Sequence, residues 1–101
     1  MKPKTRPFDV TEMLRTEEDI AEYLSVVLED GDPDLLAATL GDIAKARGMT
    51  EIAKASGLTR EALYKALRPG SQPRFDTILK VIHALGLRLE THPGRQTAAH
   101  A

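Results

Sequence analysis

The sequence divides into five short segments with helical periodicity, each bounded by residues that start or stop helices. Gly31, Gly48 and Gly57 end segments, and Pro33 stands at a first helical position, where its missing N–H costs nothing. A chain of 101 residues has room for one hydrophobic core. The predicted N-caps are Asp9, with Glu12 as its capping-box partner, Thr16, Asp32, Thr50 and Thr59. The predicted apolar stripes are Ile20, Leu24, Val27 and Leu28; Leu36, Leu40 and Ile43; and Phe75, Ile78, Leu79, Ile82 and Leu85.

These signals predict an all-α fold with a single helical domain over residues 9–90. A flexible N-terminus over residues 1–8 and a disordered tail over residues 91–101 are expected on either side. Leu87–Glu90 alternates apolar and polar residues, which predicts one short C-terminal strand. A single strand needs a partner edge, so pairing across a dimer is one outcome of this pattern.

Composition excludes several functional classes. The chain has no cysteine, so it forms neither disulfides nor thiolate zinc sites, and it has no apolar run near the ~18 residues of a membrane span. No apolar signal-peptide segment follows its basic start, so we expect a cytoplasmic protein. The three histidines, His83, His92 and His100, are too scattered to bind a metal, and no phosphate loop or nucleophile–base pair is present. We therefore expect no enzyme activity, no metal and no cofactor.

The net charge of −1 conceals a strong polarity along the chain. Residues 1–44 contain 4 Lys and Arg against 11 Asp and Glu, a balance of −7, whereas residues 45–101 contain 10 against 4, a balance of +6. A chain with this distribution can present two electrostatically different surfaces. The basic half is compatible with a nucleic acid partner.

The segment from Thr50 to Leu67 has the pattern of a helix-turn-helix. Small Ala53 allows the second helix to cross closely over the first, and Gly57 permits the positive φ of a sharp turn. At about 100° per residue, the apolar residues of the second helix form one arc. The long polar residues form the opposite arc: Arg60, Glu61, Tyr64, Lys65 and Arg68.

This polar arc suits a helix that enters the major groove of DNA. Arg and Lys can bind guanine edges or phosphates, and Tyr can contact phosphate or a thymine methyl. Glu61 can accept from a cytosine amino group, or orient Arg60 or Lys65. The alternative is an amphipathic helix pair whose polar face is only solvated. The predicted DNA-binding residues are Thr50, Thr59, Arg60, Glu61, Tyr64, Lys65, Arg68 and Arg74, with Lys45 and Lys80 as further phosphate contacts.

The helix-turn-helix resembles the Xre/Cro type of phage repressors, and residues 36–89 resemble, more narrowly, the HigA-like antitoxins of addiction modules. The resemblance rests on three stretches, residues 40–50, 57–67 and 79–89, with a further match at residues 16–24. It implies a five-helix, lambda-repressor-like domain, a homodimer on a pseudo-palindromic operator, repression of the module's own promoter, and neutralisation of a RelE/HigB-like toxin.

The acidic half is compatible with the second of these activities. A toxin that binds RNA is expected to have a basic surface, on which a segment of −7 can dock. The alternative is that these residues only form a solvated helix face. A stand-alone prophage-type repressor without a toxin, and an inhibitor that no longer binds DNA, are the competing functions. The predicted toxin-binding residues are Glu17, Glu18, Asp19, Glu22, Glu29 and Asp30.

Overall fold

A computed structural model describes residues 16–94 of the chain. Within this range the protein is all-helical, as predicted. The five helices are α1 (Glu17–Asp30), α2 (Pro33–Arg47), α3 (Met49–Ser56), α4 (Arg60–Ala66) and α5 (Phe75–Ala84). None of these helices is long and apolar enough to cross a membrane. The predicted turn at Asp9 and Glu12, the boundary at residue 9 and residues 95–101 lie outside the described residues.

Side-chain caps fix where the first two helices begin. The Thr16 hydroxyl accepts a hydrogen bond from the Asp19 N–H at 3.0 Å, and the Asp19 carboxylate accepts one from the Thr16 N–H at 3.3 Å. The Asp32 carboxylate accepts from the Asp34 N–H at 2.9 Å, with Pro33 at the first helical position. Each cap satisfies amides that have no partner inside the helix, and is worth about 1 kcal/mol. These two predicted helix starts are confirmed.

The core lies where the apolar faces of all five helices meet. Ile20, Leu40, Leu63 and Ile82 are at most 1% exposed and come from four different helices. Full burial of such a side chain contributes about 1.5–3 kcal/mol. Leu28 and Phe75 are the exceptions to the predicted stripes, because they are 38% and 68% exposed. The buried residues that form the continuous core are Ile20, Leu24, Leu40, Ile43, Ala44, Met49, Ile52, Ala53, Leu63, Leu67, Ile78, Val81, Ile82 and Leu85.

The predicted strand at Leu87–Glu90 is wrong for the chain as described, because residues 16–94 contain no strand. A strand is defined by hydrogen bonds to a second extended segment, and the described residues supply none. The predicted alternation of buried and exposed side chains along this segment is nevertheless present. Leu87 and Leu89 are half-buried against the core, whereas Arg88 and Glu90 are exposed.

The predicted N-cap at Thr50 is also wrong. Helix α3 begins at Met49, one residue earlier, and its N-cap is Gly48, which makes no side-chain hydrogen bond. Met49 is buried in the core, so its packing extends the helix past the capping signal of Thr50. Thr50 therefore lies exposed in the first turn of α3.

Candidate nucleic-acid interface

The chain turns sharply between α3 and α4 at Gly57. This glycine has φ 76°, a left-handed conformation that costs a residue with a Cβ about 1–2 kcal/mol. The Leu58 N–H donates to the Ala53 carbonyl at 2.9 Å, which satisfies the end of α3. Leu58 is half-buried against the core and fixes the exit of the turn. The segment predicted as a helix-turn-helix therefore consists of two short helices joined by a turn.

Helix α4 is held on the body of the protein by its apolar side and by its N-cap. Leu63 is fully buried, and Leu67, just after the helix, is 4% exposed. The Thr59 hydroxyl accepts a hydrogen bond from the Ala62 N–H at 3.0 Å, as predicted for an N-cap. On α2, a Cβ added at Gly41 would lie 3.4 Å from the Leu67 carbonyl oxygen, in van der Waals contact, so α2 and the residues just after α4 approach closely here. The orientation of α4 is consequently set by close packing.

The outer face of α4 carries long polar side chains directed to solvent. Arg60, Glu61, Lys65 and Arg68 are exposed, and Tyr64 is 42% exposed. The Arg60 guanidinium carbon lies 5.4 Å from the centre of the Tyr64 ring, which is within the range of a cation–π interaction. The predicted polar arc thus forms one accessible surface, here called the α4 face: Arg60, Glu61, Tyr64, Lys65 and Arg68.

A groove of about 610 Å³ runs beside the α4 face, between α4, the second half of α2 and the start of α3. Its apolar floor includes Gly41 and Met49, and its charged rim includes Lys45, Lys65 and Arg68. Sequence reasoning grouped Lys45 with phosphate-binding residues but did not identify Gly41 or Met49. Gly41 gave a signal, because a glycine inside a helix costs about 1 kcal/mol and indicates a close approach. Lys45 of α2, Lys65 of α4 and Arg68, just after α4, therefore border one surface, together with the acidic Asp42 and Glu61.

The remaining predicted DNA contacts lie elsewhere. Arg74 is the N-cap residue of α5, and its Nε lies 3.1 Å from an Asp76 carboxylate oxygen. This hydrogen bond from Arg74 lowers the pKa of Asp76, and the Asp76 carboxylate in turn partly neutralises Arg74. Neither Arg74 nor Lys80 lines the groove beside α4. The predicted set is thus divided, with Thr50 exposed on α3 and Arg74 on α5.

Helix α1 carries the acidic surface. Its 14 residues include six acidic and no basic side chains. Glu18, Glu22 and Glu29 are exposed and fall within about 40° of one another on the helix. Asp19 is half-buried and caps the helix, and the Glu17 carboxylate lies against Gly86, so these two carboxylates are turned toward the protein itself. Asp30 is exposed at the C-terminal end of α1.

Comparisons with known proteins identify the family. A family model described as a probable addiction module antidote protein matches residues 4–93. A protein of Haemophilus influenzae (strain Rd), described only as an uncharacterized protein, is 42% identical over 95 residues, which are 94% of this chain and 98% of that protein. No solved structure matches the chain. The chain therefore belongs to the family of probable addiction module antidote proteins.

Proposed function

We propose that this antidote protein binds the operator DNA of its own module through the α4 face and neutralises a basic toxin of the RelE/HigB-like class through α1. It acts as a homodimer, and its two α4 helices occupy successive major grooves about one helical turn apart. Repression follows from occupancy of the operator. Neutralisation follows from capture of the toxin.

The observation that carries the DNA-binding proposal is the composition and exposure of the α4 face. Arg60 and Lys65 offer donors of the kind that bind guanine edges, and Tyr64 offers a ring and a hydroxyl beside them. Lys45 and Arg68, on the rim of the adjacent groove, are suited to phosphates. Glu61 is suited either to accept from a cytosine amino group or to orient Arg60 or Lys65. Thr50, Thr59 and Arg74 contribute to binding from the ends of α3, α4 and α5.

The toxin-binding proposal is supported by the charge and shape of α1. Glu18, Glu22 and Glu29 form an acidic face without a basic neighbour on the same helix. Val26 is 67% exposed beside them, so a partner would find apolar area within the acidic surface. A basic, RNA-binding toxin complements both features. Glu17, Asp19 and Asp30 add to the same electrostatic field.

The DNA-binding test is a mobility-shift titration with DNA taken from directly upstream of the module. We expect a specific complex that weakens steeply with salt, because phosphate contacts release counterions. Glu51→Gln, which leaves the α4 face intact, is expected to retain the complex. Equal affinity for the upstream DNA and for unrelated DNA of the same length would contradict sequence-specific repression.

The toxin-binding test is co-expression with the adjacent gene of the module. We expect relief of growth arrest and co-purification of a complex. A triple variant, Glu18→Gln, Glu22→Gln and Glu29→Gln, is expected to slow association at low salt and to lose this difference at high salt. DNA binding without toxin capture would support a stand-alone repressor instead. Toxin capture without DNA binding would support an inhibitor of the toxin alone.

A further inference from the structure

The segment Leu87–Glu90 follows the last helix, belongs to no helix, and has an open backbone edge. Within residues 16–94, no hydrogen bond engages the backbone N–H or C=O groups of Arg88, Leu89 or Glu90. The last backbone bond before the segment runs from the Leu87 N–H to the Ile82 carbonyl at 3.2 Å. Backbone donors and acceptors without partners can pair with a second segment when both become extended.

The side chains of this segment are arranged as on a strand at the surface of a core. Leu87 and Leu89 are half-buried and pack against the helical core, whereas Arg88 and Glu90 are exposed on the opposite side. The segment also forms one wall of a groove of about 640 Å³, whose other wall is α1 with Leu24 and Leu28. A strand that pairs here must place apolar residues toward the core and polar residues outward.

A second copy of the same segment meets this requirement in several registers, but only one of them also places opposite charges opposite each other. Residues directly opposite each other in an antiparallel pair share a face, so the two positions must both be odd or both be even. A pair centred on Arg88 places two arginines opposite each other, and a pair centred on Glu90 places two glutamates opposite each other. Like charges in these positions are destabilising. A pair centred on Leu89 places Leu89 opposite Leu89 and Arg88 opposite Glu90, twice by symmetry.

We propose that Leu87–Glu90 pairs with the same segment of a second copy, antiparallel and centred on Leu89, as the dimer contact of this protein. The proposal rests on the homodimer of the proposed function and gives that dimer a location. The occupant is a second copy because the charge pattern is self-complementary in this register. Among residues 16–94, the Glu90 carboxylate contacts His92, at 3.4 Å from its Nε2, and the side chain is exposed, so it is accessible to Arg88 of a partner.

The dimer is expected to be weak without DNA. A four-residue strand pair buries far less than the roughly 1,200 Å² of stable complexes. On an operator with two half-sites, the DNA holds both copies together and raises their effective concentration into about the millimolar range. The contact is therefore suited to selecting the spacing of two half-sites.

Cysteine crosslinking tests the register, since the natural chain has no cysteine. In the proposed pair the two Leu89 Cα atoms lie about 4.5–5.5 Å apart, within the range of a disulfide. We expect Leu89→Cys to form a covalent dimer under mild oxidation. Arg88→Cys is the matched control, because position 88 lies opposite position 90. Arg88 is the more exposed site, so random collision would crosslink it faster.

The expected order is Leu89→Cys faster than Arg88→Cys by at least about tenfold, since paired thiols have a millimolar effective concentration. Position 87 lies opposite position 91 in this register. Leu87→Cys and Thr91→Cys are therefore expected to crosslink with each other when mixed, and neither is expected to crosslink with itself. The proposal would be overturned by equal crosslinking rates for Leu89→Cys and Arg88→Cys. It would also be overturned if Arg88→Cys crosslinks faster, as random collision predicts. Circular dichroism of each variant establishes that the helices are intact.

Charge reversal gives a second test that leaves the core untouched. Arg88→Glu and Glu90→Arg are each expected to raise the dimer dissociation constant by about tenfold in sedimentation, because like charges then face each other twice. A mixture of the two variants is expected to form a heterodimer with restored affinity. Equal dimerisation of both variants and of the natural chain would contradict the register.

These outcomes separate this inference from the proposed function. Operator binding by two copies without Leu89→Cys crosslinking overturns the interface and leaves DNA binding intact. Crosslinking without operator binding supports the interface and contradicts the DNA-binding proposal.

Discussion

Arg60 and Tyr64 lie one helical turn apart, and the guanidinium carbon of Arg60 is 5.4 Å from the centre of the Tyr64 ring. Their i, i+4 spacing places both side chains on the same side of α4. Contact with the ring restricts the rotamers of a long, otherwise flexible side chain. The guanidinium is therefore oriented in the free protein, which would lower the entropy lost in the proposed binding of DNA.

Tyr64→Leu is expected to weaken operator binding about twofold to fivefold, which corresponds to the ~0.5–1 kcal/mol of an exposed cation–π contact. Tyr64→Phe keeps the ring and should bind more tightly than Tyr64→Leu. Fluorescence anisotropy with labelled operator measures both. Identical affinities of the two variants would show that the ring does not position Arg60.

Substitutions at Thr59 separate its capping role from a phosphate contact. The Thr59 hydroxyl accepts from the Ala62 N–H at 3.0 Å, so Thr59→Ala should lower the free energy of unfolding by about 1 kcal/mol. Thr59→Asp caps the helix equally well but places a negative charge near DNA. We expect this variant to unfold like the natural chain in urea and to lose affinity for DNA. Unimpaired DNA binding by Thr59→Asp would place the phosphates away from this end of α4.

Gly57→Ala tests the turn between α3 and α4. An added Cβ meets no atom within 4 Å, so strain at φ 76° is the only cost, and the free energy of unfolding should fall by about 1 kcal/mol. Gly94→Ala is the matched control, since Gly94 has open space and no positive φ. Urea denaturation compares the two. If Gly57→Ala and Gly94→Ala change the free energy of unfolding equally, the turn does not require the left-handed conformation at Gly57.

Arg74 and Asp76 test whether α5 contributes to phosphate binding. Arg74→Ala should weaken all DNA sequences alike and reduce the slope of log affinity against log salt by about 0.9. Asp76→Asn removes the carboxylate that partly neutralises Arg74, so it should strengthen binding at low salt. The hydrogen bond from Arg74 lowers the pKa of Asp76, so protonation of this carboxyl occurs further below the neutral pH of the titrations. An unchanged salt slope in Arg74→Ala would exclude Arg74 from the interface.

The fold was largely predictable because its helices carry local signals. Thr16, Asp32 and Thr59 cap helices as their sequence context indicates, and the buried stripes follow the helical period. Thr50 was misassigned because the buried Met49 extends α3 by one residue, and burial is a tertiary property. The strand at Leu87–Glu90 was misassigned because a strand also needs a partner, which the local pattern does not supply.

The site was predictable only in part. The α4 face follows from the positions of its residues on one helix. The groove beside it depends on how closely α2 approaches α4 at Gly41 and Leu67, and no periodicity within one helix gives that distance. The ion pair of Arg74 with Asp76 likewise depends on side-chain geometry at the start of α5.

The most direct test of the central claim is a comparison of Arg60→Ala with Lys54→Ala, an exposed lysine on α3 that does not line the groove beside α4. Affinities are measured for the upstream operator and for operators with single base changes. We expect Arg60→Ala to lose about 1–3 kcal/mol on the natural operator and to lose discrimination at one base position in each half-site. Lys54→Ala should keep that discrimination. If Arg60→Ala binds the natural operator and all its single-base variants as the unmodified chain does, α4 does not read DNA sequence.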